Sequence, residues 1–365
     1  MTDEIEDAKA EIKDEYRASH GKPWIIGFSG GKDSTVLLHL VVEALLELPA
    51  SERNREVHVI ANDTLVESPI VQDFVDRTLG NLQDSLNALQ LPFVVAKTTP
   101  DADQSFWVNL IGRGYPAPTR MFRWCTDRMK IRPTTAYIKS KVSEEGEVIL
   151  LLGVRRSEST ARAKSAKKYD RSGRLNRHND ILGCYVFRPI LELSTDDVWE
   201  FLAEHPAPWG GSYSELINLY RDAAGGECPV VIDPDAAPSC GSSSIRFGCW
   251  TCTVVEKDKS FRNAMDRGYE HLEPMADFRD WLKEFCYRPE NRMNQRRNGQ
   301  PGNGPLTFNA RATVLDELRR LEDRVNLKLI SDTEVNRIQA IWREDQARLA
   351  MQKADSVLAL LESTR

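Results

Sequence analysis

Ser29-Gly30-Gly31-Lys32-Asp33-Ser34-Thr35 lies directly behind the apolar run Trp24-Ile25-Ile26-Gly27-Phe28 and directly ahead of Val36-Leu37-Leu38-His39-Leu40-Val41-Val42. The first run is short, β-rich and bounded by turn residues, the pattern of a strand buried on both faces of a parallel sheet. The second has helical apolar spacing, with Asp33 and Ser34 in its first turn. A Gly-Gly pair between strand and helix lets the backbone come close to an anion. The helix N-terminus then offers unpaired N–H groups and the positive end of its dipole, and Lys32 and Ser34 add donors. The stretch predicts a phosphate cradle.

It is not a Walker loop, which needs Gly where Ile26 stands and Ser or Thr where Asp33 stands. The dinucleotide Gly pattern is absent as well. Ser29 to Ser34 resembles the PP-loop of ATP pyrophosphatases, in which an SGGKDS stretch holds the pyrophosphate of ATP while AMP goes to an acceptor. The plainer alternative is a strand–turn–helix corner with chance glycines, and six consecutive matching residues in the right context weigh against it.

Working outward, Arg55–Ala61 reads as a second strand ending at Asn62-Asp63-Thr64, Leu91–Ala96 as a third and Val148–Leu152 as a fourth ending at Gly153. Helical stretches cover about 2–19 and 68–89, and two more, about 306–325 and 331–361, close the chain. Strands alternating with helices predict an α/β fold: a parallel twisted sheet with helices on both faces, ligands binding at the carboxyl ends of the strands. Ser29–Ser34, Asn62–Glu67 and Gly153–Arg162 all fall at such ends. Ser194 and Asp197 stand at capping-box spacing, although the box proper takes Glu or Gln. From about Leu182 the pattern loosens, and Arg288–Pro305 reads as a polar loop. The expected division is a pyrophosphatase domain over 1–205, a cysteine-rich segment over 206–290 and a helical region over 291–365.

The chain has 365 residues, a formal net charge of −6 and 41% hydrophobic residues, as in ordinary globular proteins. No apolar run reaches the roughly 18 residues of a membrane helix, so no membrane association is expected. The acidic start Met1-Thr2-Asp3-Glu4 has no apolar signal segment, which points to the cytoplasm. Seven cysteines without a secretion signal point to metal binding or catalysis ahead of disulfides.

Cys249-Trp250-Thr251-Cys252 is a Cys-x-x-Cys pair, preceded by Cys240 and Cys228. Four thiolates suit a tetrahedral metal or a cubane cluster, and ligand count alone does not separate zinc from four-iron chemistry. Cys125 stands among Arg120, Arg123, Arg128, Lys130 and Arg132. Cations that close would lower a thiol pKa and suit a phosphate-bearing substrate; a small buried core cysteine is the plainer reading, and both stand at this point. Arg155, Arg156, Arg162, Lys164, Lys167 and Lys168 open a basic stretch at a strand end, read either as phosphate-neutralising or as a solvated loop.

Together these residues resemble the PAPS-reductase-like branch of the PP-loop ATP pyrophosphatases, through SGGKDS, Asp63-Thr64 and Gly153-Val154-Arg155-Arg156-Ser157-Glu158-Ser159. The run Phe106-Trp107-Val108-Asn109-Leu110-Ile111-Gly112-Arg113-Gly114-Tyr115-Pro116, the run Arg123-Trp124-Cys125-Thr126 and the four cysteines are similar to the DNA phosphorothioation sulfurtransferases of the DndC type. The resemblance covers about 20–285. It implies an adenine nucleotide alpha hydrolase-like fold with an iron–sulfur-binding segment and C-terminal helices.

It further implies ATP with its pyrophosphate on Ser29, Gly30, Gly31, Lys32, Asp33 and Ser34 and its adenosine near Asp63, Gly153 and Arg155. Lys32 would neutralise pyrophosphate charge and Asp33 help to hold Mg2+. Arg123, Arg128, Arg156, Arg162, Lys164, Lys167 and Lys168 would meet DNA phosphates. Cys228, Cys240, Cys249 and Cys252 would bind a 4Fe-4S cluster, with zinc the alternative. Sulfur would come from a cysteine desulfurase, Cys125 or the cluster acting as relay, with other phosphorothioation proteins as partners. Rival readings are a tRNA thiolase or PAPS reductase of the same branch, and a non-catalytic metal-stabilised nucleic-acid-binding module.

Overall fold

In the computed structural model the described residues are 2–158, 173–223, 248–254 and 269–363. Six strands, β1 (Trp24–Gly27), β2 (Val57–Asn62), β3 (Phe93–Thr98), β4 (Val148–Leu151), β5 (Asn176–Arg177) and β6 (Cys184–Phe187), form one sheet in the order β3-β2-β1-β4-β6-β5. All neighbouring pairs are parallel except the short edge strand β5, which runs antiparallel to β6. Trp24, Ile25 and Ile26 are fully buried, as are Val148, Ile149 and Leu151, because helices cover both faces of the central strands. The parallel α/β expectation holds. The pair β5/β6 adds an edge that the sequence reading did not assign.

Helix α1 (Asp3–Tyr16) packs on α2 (Lys32–Leu46), α3 (Pro69–Ala88) connects β2 to β3, and α4 (Arg132–Glu145) leads into β4. From Val36 to Val42 every residue of α2 is fully buried. A helix apolar all round belongs in a protein's interior, and α1 on one side and α5 (Thr195–Glu204) on another enclose it. Helix α5 begins with a closed capping box: Ser194 Oγ accepts from Asp197 N at 3.1 Å and Asp197 Oδ2 accepts from Ser194 N at 2.8 Å. The shorter Asp side chain therefore does the work usually given to Glu. Helix α6 (Ser214–Ala223) follows.

Strand succession runs from β1 outward to β3 and then returns to the other side of β1 with β4. In such sheets a reversal of this kind is the usual ligand position, at the carboxyl ends of the strands. Ser29–Ser34 and Gly153–Arg155 are the loops after β1 and β4.

A second apolar core lies beyond the sheet. It joins Phe106, Trp107, Leu110, Ile111 and Trp124 to Trp250 and to helices α7 (Glu273–Tyr287), α8 (Phe308–Val325) and α9 (Asp332–Ser363). Trp107 Nε1 donates to Leu329 O at 2.8 Å and Trp342 Nε1 to Ile111 O at 3.0 Å. At Gly112 an added Cβ would sit 3.1 Å from Ile341 Cδ1, so the lack of a side chain lets α9 approach. The run Phe106–Pro116 thus serves as the seat of the C-terminal helices.

Candidate active site

The cradle after β1 is closed on itself by short bonds. Ser34 Oγ donates to Gly31 O at 2.9 Å and accepts from Ser29 N at 3.2 Å. Gly30 has φ +71° and room for no Cβ, which would fall 2.6 Å from Val75 Cγ2. Lys32 Nζ lies 2.8 Å from Asp33 Oδ2, and Arg155 Nε donates to Asp33 Oδ1 at 2.6 Å. Both oxygens of Asp33 therefore face cations.

Arg155, 1% exposed, also donates to Ser157 Oγ at 2.8 Å and to Leu193 O at 3.2 Å. At Gly153 an added Cβ would lie 2.8 Å from Asp33 O; only glycine lets the β4 loop press on the first turn of α2. The sequence reading placed Gly153 and Arg155 with the nucleotide; in the structure both lie against Asp33 of the cradle. Arg156 turns to Glu192 at 2.6 Å.

From α6, Tyr220 reaches the same spot. Its hydroxyl accepts the Lys32 N–H at 3.2 Å, one of the amides that a phosphate would use, and Lys32 Nζ lies 5.6 Å from its ring centre. Burial pushes the phenol up to about 12, so it stays neutral. Nothing in the spacing of Ser214–Ala223 signals this contact, which is made across 188 positions.

The loop after β2 has two sides. Asp63 accepts from Leu65 N at 2.8 Å, with Leu65 at φ +63°, and pairs with Lys97 at 3.2 Å. Lys97 also meets Asp76 at 2.8 Å. Burial alone would lower its ammonium, but the two carboxylates hold it above its ordinary value. The next residue, Thr64, points away: its hydroxyl donates to Glu67 Oε1 at 3.0 Å and lies 3.3 Å from Cys249 Sγ. Glu67 forms a bridge with Cys249, and Trp250 N donates to Val66 O at 3.0 Å. Lys130 Nζ reaches Glu67 Oε1 at 3.4 Å.

Cys249 and Cys252 are joined by a tight turn in which Cys252 N donates to Cys249 O at 3.0 Å. Helix α7 supports it: Arg279 Nε donates to Cys252 O at 2.9 Å. Burial, with Glu67 beside it, pushes the Cys249 thiol up. Cys125 is pushed up too, first by burial and then by the nearby Cys252 thiol. The expected depression does not arise, because burial outweighs the nearby Lys130 ammonium and the arginines around Cys125 in sequence are turned elsewhere. Arg132 pairs with Asp127 at 2.8 Å, Arg128 reaches Tyr115, and Arg120 and Arg123 are exposed. Burial alone would lower the Lys130 ammonium, but Cys249, Glu67 and Cys125 keep it high.

Cys184 and Cys286 are buried, both pushed up to about 11 by burial. Cys228, Cys240, Arg162, Lys164, Lys167 and Lys168 lie outside the described residues. Among the described residues no group of three or more His, Cys, Asp or Glu is arranged to hold a metal ion. The turn at Cys249 and Cys252 suits one edge of such a site and needs donors from elsewhere.

The phosphoadenosine phosphosulfate reductase domain model matches residues 23–255, from the start of β1 through the Cys-x-x-Cys turn. The chain belongs to that family. Two uncharacterized proteins of Methanocaldococcus jannaschii are similar to it. One is 27% identical over 194 residues, 53% of this chain and 34% of its own length. The other is 30% identical over 230 residues, 61% of this chain and 46% of its own. The chain thus spans a third to a half of the length of these relatives. Among solved structures, phosphoadenylyl-sulfate reductase from Candida auris aligns with 56% of this chain and 87% of its own at 14% identity and TM-score 0.34. The U34-tRNA thiolase of Methanococcus maripaludis, solved with its 4Fe-4S cluster, aligns over 78% of each chain at 12% identity and TM-score 0.36.

Within the family match lie the cradle, the Asp63–Glu67 loop and the cysteine turn; α7, α8 and α9 follow it. No helix among the described residues is long and apolar enough to cross a membrane.

Proposed function

We propose that this reductase-domain protein is an ATP-dependent sulfurtransferase that exchanges a non-bridging oxygen of a DNA backbone phosphate for sulfur. One observation supports the reading: Asp63 follows β2, the strand beside the one that ends in the cradle, and the adjacent Thr64 lies 3.3 Å from Cys249 Sγ. A nucleotide site and a sulfur-bearing site joined by a single peptide bond suit a reaction that uses both in turn.

In this reading the amides at the start of α2 and the Lys32 ammonium hold the pyrophosphate of ATP, with Mg2+ accompanying the nucleotide. They stabilise charge as the bond to the α-phosphorus breaks. Asp33 keeps Lys32 and the buried Arg155 in place. A DNA phosphate oxygen attacks the α-phosphorus and pyrophosphate leaves. A persulfide on Cys125, loaded by a cysteine desulfurase, then attacks the DNA phosphorus and expels AMP. A second thiol takes the inner sulfur, leaving a disulfide and the phosphorothioate. Cys252, near Cys125, is the candidate for that thiol. The alternative assignment gives Cys228, Cys240, Cys249 and Cys252 to a 4Fe-4S cluster or zinc, the second thiol then coming from outside the chain. The DndC-type motif runs support DNA as acceptor, with other phosphorothioation proteins as partners.

The test is incorporation of radioactive sulfur from cysteine, with desulfurase and ATP, into DNA or into tRNA. ATP-dependent label in DNA is expected. Label confined to tRNA would replace the acceptor, and label in neither would reject sulfur transfer.

A further inference from the structure

The polar loop Arg288–Pro305 carries a built feature that packs on Tyr115 and Arg113. Gln295 and Pro301 bridge, Arg296 N donates to Gln300 O at 2.8 Å and Gln295 Nε2 to Gly299 O at 2.8 Å. These bonds make a tight hairpin with Arg297 at its tip. Arg297 lays its guanidinium 4.4 Å from the centre of the Tyr115 ring and donates to Arg113 O at 2.6 Å.

Arg128, from the segment after Cys125, approaches the same ring at 5.1 Å and donates to the Tyr115 hydroxyl at 2.9 Å. Arg113 is held by Asp103 at 2.5 Å. Arg128 and Arg297 have no carboxylate within ion-pair distance among the described residues, and Arg128 Nε is buried without a partner. Burial first lowers the Arg297 guanidinium, with Arg113 and Arg128 adding to it and Tyr115 and Asp345 opposing.

Like charges brought this close are costly unless an anion joins them. Guanidinium forks match the geometry of a phosphate. Beside the pair, Phe122 lies 6.2 Å from Tyr115, 46% exposed, and Met121 is 95% exposed. An exposed ring next to paired arginines is the arrangement that takes a base beside its phosphate. Tyr115 in turn packs edge-on against Trp124 at 5.5 Å, the residue before Cys125.

We infer that Arg128 and Arg297, gathered on the Tyr115 ring, form a clamp for a backbone phosphodiester of a nucleic-acid strand, with Phe122 as a stacking surface. The clamp rests on the reading of a nucleic-acid acceptor, and it hands a role in substrate binding to the region after the family match. Its position one ring from Cys125 would register the strand for sulfur transfer.

The test uses the full chain and a fluorescein-labelled DNA, single-stranded and duplex, with anisotropy read over a series of salt concentrations. Arg297→Gln should weaken binding roughly 5–10-fold and reduce the salt slope by about 0.7–0.9, evenly across sequences. Arg128→Gln with Arg297→Gln should double the loss of slope. Wild-type binding that both variants leave unchanged overturns the clamp while the nucleic-acid reading stands. A wild-type chain that binds neither form overturns both. Should Arg297→Gln lower Tm, Arg297→Lys decides: the clamp predicts weaker binding with the slope retained, and a slope lost as in the Gln variant contradicts it.

Discussion

The two sides of the Asn62–Glu67 loop belong to regions built in opposite ways. On the cradle side, seven consecutive residues lie between one strand and one helix, supported chiefly by the loop after β4, with Tyr220 of α6 added across the fold. On the sulfur side, the residues that meet are drawn from 106–131, 249–253 and 272–342, and they are held by side chains bonding to distant carbonyls. The first arrangement is dictated by local backbone geometry. The second depends on packing of the whole C-terminal part, so damage far from the cysteines should reach them while the cradle keeps its shape.

The largest effect expected on the cradle side is from Lys32→Ala, which should cost about 10²-fold or more in ATP cleavage, read as pyrophosphate release. Loss below tenfold would remove Lys32 from the chemistry. Arg155→Ala should be worse for the fold, since it leaves Asp33 beside a buried gap; breaking such a pair costs about 3–5 kcal/mol, measured by denaturant unfolding. On the other side, Leu318→Ala in the second core, where Leu318 is fully buried, should cost about 2–5 kcal/mol. In that variant, nucleotide binding should outlast sulfur transfer on warming. Simultaneous loss of both would merge the two regions into one cooperative unit and break the contrast.

A smaller effect is expected at high pH. The thiols of Cys184 and Cys286, pushed up from 9.0 to about 11, contribute stability that is fully present below pH 9 and lost as pH rises through 11. Thermal unfolding should therefore shift down across that window, and less so in Cys184→Ala. The smallest effect belongs to Tyr220→Phe. Freeing the Lys32 amide from a neutral hydroxyl should tighten nucleotide binding a few-fold, because charged phosphate oxygens make the stronger bond there; weaker binding would instead make Tyr220 a phosphate contact.

The same contrast governs what could be read in advance. The strands β1 to β4, the cradle and the Gly153–Arg155 loop were legible because each is announced by contiguous residues with one backbone solution. β6 was not, since Cys184–Phe187 is too short for periodicity and gains its place only by pairing with β4. Tyr220, Lys97 and Arg297 were missed because their roles are contacts across the fold, and no spacing records them. The arginines around Cys125 misled for a related reason: nearness in sequence said nothing of which way the turn would point them, or of the burial that outweighs Lys130.

The measurement that bears most directly on the chemistry is an oxygen-tracing experiment. DNA carrying oxygen-18 at its non-bridging phosphate positions is incubated with the protein, ATP and the sulfur source, and the nucleotide product is weighed by mass spectrometry. Attack by the phosphate oxygen on ATP followed by sulfur displacement predicts AMP carrying one heavy oxygen per phosphorothioate formed. AMP without label, or ADP in its place, would contradict the account.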